Sequence, residues 1–360
     1  MTSATAREAK SPSTHVPDKV HLVGSIGLDT VEEVFRTAGA LLGRRLRRVP
    51  DGEPGGRRLW AAWQYPLLRA SPYLRADPSG AVRKNSRLPQ LCLAEGVSAA
   101  EVRFSELGYA REARASYLDF RAARDAGELP ASVRFQVCLP TPTAVVYSFC
   151  TTRDLLAILH AYEKAMLREV EAVCRGIPHG DLCIQWDICQ EMVICDGQPQ
   201  DDFPTVHASM DEIVARIRAL CQPIPAAVEL GFHLCYGDFG AKHFIEPRDT
   251  SKLVEMANAL TTSLPHAIAY IHMPVPAARS DDDYFRPLTG LRLAPQTEVY
   301  LGLVHASDGA EGTRRRIAAA RQFITDFGIA SECGMARART PQVVRELLEV
   351  HAAVSREPSH

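Results

Sequence analysis

The chain has 360 residues, 46% of them hydrophobic and 23% charged, with 41 basic and 43 acidic residues and a formal net charge of -2. That balance excludes a global attraction to nucleic acid or to an anionic membrane and directs attention to a small-molecule site. No apolar run approaches the roughly 18–20 residues that span a bilayer, and residues 1–18 lack the apolar segment of a secretion signal, so a cytoplasmic protein with a loose N-terminal arm is expected.

Short β-branched runs alternate with helix-length amphipathic ones from residue 19 onward. HLVGSIG (21–27) reads as a strand, and Asp29 opens a helix through Leu42 with acids in its first turn. A second strand ends near Val49. A long insertion follows, carrying Trp60, Trp63 and Tyr65 and a helical stretch over 99–123. SVRFQVCLP (132–140) is a third strand, followed by a strong helix over 152–175. LCIQWDI (182–188) is the fourth strand, with a helix near 209–221.

AAVELGFHLC (226–235) is the fifth strand, with a helix over 250–262, and AIAYIHM (267–273) is the sixth. TEVYLGLV (297–304) is the seventh, with a helix at 311–325. FGIASECG (327–334) is the eighth, before a closing helix with Thr340 as N-cap and Pro341 in its first turn. Eight strands interleaved with helices predict an α/β chain: a single (β/α)8 TIM barrel over 19–360 with an insertion after strand 2. No GxGxxG or GxxxxGK[ST] follows any strand, so neither a doubly wound nucleotide fold nor a nucleotide cofactor is expected.

In such a barrel the chemistry sits at the carboxyl ends of the strands. Those ends deliver Ser25, the Asp51-Gly52-Glu53 turn, Thr141, Asp187 with Glu191 just beyond, His233 and Cys235, His272, His305 and Cys333. His233 and Cys235 share a strand face, being two apart, and a thiolate from the last strand completes three donors suited to zinc. The ten cysteines contain no CxxC pair, and the remainder are expected to be reduced core residues.

Several short motifs, in order, resemble the catalytic half of cobalamin-independent methionine synthase and, more loosely, the barrel superfamily it shares with uroporphyrinogen decarboxylase. LVGSIG is similar to that family's I-G-S-F, DGEP to H-G-E-P, LPTPTAVVYSF to G-P-V-T…W-S-F and IQWD to I-Q-I-D-E-P. FHLCY resembles H-M-C-Y, LVHASDG resembles I-H-S-P, and SECGMARAR resembles P-D-C-G-L-K-T-R. The resemblance implies zinc on His233, Cys235 and Cys333, an amino-acid clamp at Ser25, Glu53 and Asp187, and an acid-base role for His305. Tyr147 stands at the folate-stacking tryptophan and Ile188 at the acid after Asp187. YIHM replaces the family's T-I-E-T, so His272 takes the place of the remaining carboxylate ligand. The family's duplicate N-terminal barrel has no counterpart, and neither folate nor cobalamin is expected.

Two enzyme readings stay open, beside a metal-free binding protein or degenerate paralogue. One is zinc-thiolate methyl or alkyl transfer to a small thiol or amino-acid-like substrate, with catalytic roles for Glu53, Asp187 and His305 and substrate contacts from Ser25, Thr141, Tyr147 and Glu191 as well. The other is a non-heme Fe(II) oxygenase or lyase using His233 and His272. Both need one divalent ion and a small-molecule substrate; no nucleic-acid or membrane partner is implied, and nothing sets an oligomeric state. His21, His160, His179, His243 and His266 read as surface or cap residues. The Trp60 cluster reads as core before lid. Arg337 and Arg339 are candidates to meet a substrate anion, with helix solvation the equal alternative.

Overall fold

The computed structural model describes residues 16–82, 88–197, 208–238, 240 and 242–358. Its strands are β1 (Val20–His21), β2 (Arg48–Pro50), β3 (Leu74–Ala76), β4 (Leu91–Leu93), β5 (Arg134–Pro140), β6 (Leu182–Ile188), β7 (Glu229–Leu234), β8 (Ile268–Pro274), β9 (Glu298–Val304) and β10 (Gly328–Ser331). Its helices are α1 (Val31–Leu42), α2 (Gln64–Ala70), α3 (Tyr109–Asp125), α4 (Pro142–Phe149), α5 (Leu155–Gly176), α6 (Gln190–Asp196), α7 (Met210–Cys221), α8 (Ser251–Ser263), α9 (Asp282–Phe285), α10 (Gly309–Ala320) and α11 (Pro341–Val354).

Eight strands form one parallel sheet in the order β1-β10-β9-β8-β7-β6-β5-β2, and a parallel bridge from Val20 to Leu46 joins its two edges. This is the expected (β/α)8 barrel. Its strands are covered on both faces, which is why β6 reads LCIQWDI with every residue buried. The insertion after β2 holds α2 and the antiparallel pair β3–β4. Local chemistry sets the helix starts. Thr340 accepts from the Val343 N–H with Pro341 beside it, and Ser209 and Glu212 form a reciprocal capping box on α7.

Several expected boundaries move, for physical reasons. Thr30, not Asp29, caps α1, its hydroxyl accepting from Glu33 N–H. The helix expected over 99–123 starts only at Tyr109, because Gly108 is left-handed at φ 95 and breaks the run before it. α10 ends at Ala320 rather than 325. β1 and β10 are far shorter than the sequence suggests: the chain leaves the ladder at both places to bring Ser25 and Gly334 together over the barrel mouth. Met335 N–H donates to the Ser25 carbonyl at 2.6 Å, and a Cβ on Gly334 would lie 2.2 Å from Ser25 Oγ.

Of the expected arm, residues 1–15 lie outside the described residues. Pro17 is buried, its carbonyl accepting from Arg356 N–H. All ten cysteines are free thiols. Among the described residues no helix is long and apolar enough to cross a membrane.

Candidate metal centre

β7 lies between β6 and β8, and the parallel register sets Asp187 and His272 on either side of His233. Cys235 follows two residues on, held to the ladder by its N–H donating to the Ile188 carbonyl at 2.9 Å. Cys333 arrives just after β10. The Sγ atoms of Cys235 and Cys333 are 3.7 Å apart, and Cys333 Sγ is 3.6 Å from His233 Nε2. All three side chains are buried.

Zinc bonds of about 2.3 Å to sulfur and 2.0–2.1 Å to nitrogen, at tetrahedral angles, separate two sulfurs by about 3.8 Å and a sulfur from a nitrogen by about 3.6 Å. Both spacings from Cys333 therefore fit the ion, and His233 and Cys235 lie within 4.8 Å of each other. Gly237 N–H donates to Cys235 Sγ at 3.2 Å and Arg337 Nη2 to Cys333 Sγ at 3.4 Å, so each sulfur has a donor that favours its thiolate form. Among the described residues, His233, Cys235 and Cys333 are the group of three or more His, Cys, Asp or Glu side chains close enough to hold a cation.

His272, expected as a fourth ligand, stands behind this trio and outside the group of donors within 4.8 Å of one another. Its Nε2 lies 3.0 Å from the Ser331 carbonyl, which can only accept, so that nitrogen carries the proton. Burial pushes the His272 pKa down to about 3, so the ring is neutral and its Nδ1 bears a lone pair. That lone pair faces His233 Nδ1 at 2.7 Å, and His233 Nδ1–H therefore donates to it. The chain of two bonds leaves the bare Nε2 of His233 toward the thiols.

The trio opens onto a cavity lined also by Ser25, Glu53, Trp60, Asp187, Phe244 and Arg337. Asp51 shapes the turn that presents Glu53: its Oδ1 accepts from Glu53 N–H, while Arg57 and Ser116 hold Oδ2. Asp187 accepts from Gln185 Nε2 and from the indole N–H of Trp60, both at 2.8 Å. Burial nevertheless pushes Asp187 up to about 7. Burial, then the nearby Asp187 and Asp51 charges, push Glu53 up to about 8. Glu53 Oε2 has no hydrogen-bond partner.

Other expected residues lie elsewhere. Thr141 caps α4, accepting from Ala144 N–H, and its hydroxyl faces the buried Glu191 carboxyl, whose pKa burial raises. Neither lines the cavity, nor does Tyr147, which packs into the core from α4 while Ser148 and Phe149 face the cavity. His305 donates from Nε2 to the Val275 carbonyl at 2.8 Å and turns Nδ1 to Glu332 at 3.6 Å, also outside the lining. His21 and His243 have buried side chains rather than surface ones: His21 bonds Gln185 inside the barrel, and His243 faces Glu246 and Glu332. Trp60, Trp63 and Tyr65 all pack on the core, and Trp60 also lines the cavity.

The sequence reading missed Cys189. Its signal was present, since Gln185, Asp187 and Cys189 alternate along one face of β6 and the residue after it.

Comparison with known proteins finds the fold but no close relative. No family model and no curated protein matches the chain. Among solved structures, a B12-independent methionine synthase from Shewanella sp. W3-18-1, in complex with selenomethionine, is 15% identical, covers 94% of this chain and 96% of its own, and has a TM-score of 0.57. A Listeria monocytogenes protein assigned as a vitamin-B12-independent methionine synthase is 12% identical, covers 96% and 100%, and has a TM-score of 0.56. The chain thus shares the barrel fold of methionine-synthase-like proteins.

Proposed function

We propose that the protein is a metal-dependent enzyme, zinc being the favoured ion, that transfers a methyl or other alkyl group to the sulfur of a small amino-acid-like thiol. The observation that carries this is the convergence of His233, Cys235 and Cys333, with Cys333 at tetrahedral-zinc spacing from both of the others. A zinc ion there would lower the pKa of a bound thiol while leaving its sulfur nucleophilic.

The protein's own groups supply the rest. Asp187 ionises first and pairs with a substrate ammonium. The unpartnered Oε2 of Glu53, poised near neutrality, takes the thiol proton. The new carbon–sulfur bond forms as the carbon–donor bond breaks, its electron pair staying on the donor. Trp60 and Phe244 keep water from the sulfur. A neighbour of this fold binds selenomethionine, an amino acid, which is in keeping with the substrate class proposed. His305 has no part in this scheme, since it does not face the cavity.

The iron reading needs two imidazoles beside open positions. With both His272 nitrogens engaged, one imidazole and two sulfurs remain, a donor set that favours zinc. The test is metal analysis of freshly purified protein, with methyl transfer to homocysteine and cysteine followed by mass spectrometry across a panel of methyl donors. One zinc per chain, lost in Cys333→Ser, and turnover without oxygen uptake are expected. Turnover supported only by Fe(II), with oxygen consumed, would end this reading.

A further inference from the structure

The trio supplies three donors, and tetrahedral zinc takes four. His272, the histidine at the position of the family's carboxylate ligand, is turned to Ser331 and cannot be the fourth. The β6–β7 register pairs Asp187 with His233 and Ile188 with Leu234, so the next step sets Cys189 beside Cys235. Cys189 is 2% exposed, lines the same cavity and shares a buried sulfur cluster with Cys235 and Cys333 under Trp60 and Phe244. Its side chain interacts with that of Cys235, and its sulfur lies outside the group of donors within 4.8 Å of one another, so ligation requires it to turn inward.

We propose that Cys189 is the fourth protein donor of the metal site, giving a three-cysteine, one-histidine set in the substrate-free protein. It approaches from β6, on the opposite side of His233 from His272. Three sulfurs and one nitrogen complete a zinc tetrahedron, and the substrate thiol of the proposed reaction would take the place of Cys189. The inference rests on the metal-site reading above, and the experiment separates the two.

The wild-type protein is loaded with zinc and its coordination sphere counted by X-ray absorption at the zinc edge. In parallel, Co(II) replaces zinc in wild type, Cys189→Ser and Cys235→Ser. Three sulfurs and one nitrogen are expected in wild type, with the thiolate-to-cobalt absorption falling by about one third in Cys189→Ser as the sulfur count drops from three to two. Two sulfurs in wild type overturn the role of Cys189 and leave the three-residue site standing, and this count requires no variant to fold. Failure of wild type to bind zinc or Co(II), or unchanged spectra in Cys235→Ser, overturns both.

Discussion

The two ends of the barrel interior are built from similar polar residues and treat them in opposite ways. At the amino end, Arg48 donates to Glu229 and Glu298, Tyr300 donates to Glu298, and the guanidinium lies 4.6 Å from the Tyr270 ring centroid. None of these side chains leaves a buried polar atom without a partner. At the carboxyl end, Glu53 Oε2, Asp238 Oδ1 and Arg337 Nε are all buried and unpartnered. The three non-glycine residues at positive φ among the described residues, Glu53, Trp60 and Ala338, lie at or beside that end. A satisfied buried network holds a fold; unmet groups and strained backbone mark where a ligand completes the structure.

Removing Arg48 gives the largest expected loss of stability. Arg48→Leu strands two partly buried carboxylates, which Arg134 and Lys19 relieve only in part, and costs about 3 kcal/mol in urea unfolding. Zinc affinity should stay at the wild-type value. A variant of normal stability that has lost its metal would erase the distinction between the two ends.

The mouth should respond in the opposite sense. An acid whose pKa is raised on folding binds more protons folded than unfolded, so stability falls as pH rises from its ordinary value near 4.3 toward the folded value. Glu53, pushed up to about 8, therefore destabilises the metal-free protein at alkaline pH. Glu53→Gln mimics the protonated form and should stabilise it by on the order of 2–4 kcal/mol at pH 8.5, the gain shrinking toward zero by about pH 4.5. Parallel melting curves across pH check this. A pH-independent gain would mean the carboxyl is already ionised and paired.

The positions of these groups were largely legible in the sequence; their partners were not. Alternation along a strand placed His233 and Cys235 on one face, and strand ends named Ser25, Glu53 and Asp187, because both rules act over a few residues. Thr141-Pro142 carries the same cap-then-proline pattern as Thr340-Pro341, yet its position at a strand end suggested a substrate contact; the capping role is the one the structure shows. Trp60 reaches Asp187 across 127 residues, a pairing that no local pattern encodes. His272 is the sharpest case. Its rim position was correct, but its role depends on a carbonyl 59 residues away.

His272 therefore gives the smallest and most discriminating test. As a positioning residue it fixes the His233 tautomer, and outer partners of this kind typically contribute 10–100-fold to metal affinity. In His272→Leu, His233 loses the acceptor for its Nδ1–H, and the ring is free to turn or to protonate Nε2 instead. Zinc should then bind about 10–100-fold more weakly, measured by competition with a chromophoric chelator. The nitrogen count at the zinc edge should be the same as in wild type, because the lost imidazole never touched the ion. A count lower by one would restore His272 as a ligand and return two imidazoles to the site. It would also remove the reason for preferring zinc over iron, since that preference rests on His272 being occupied elsewhere.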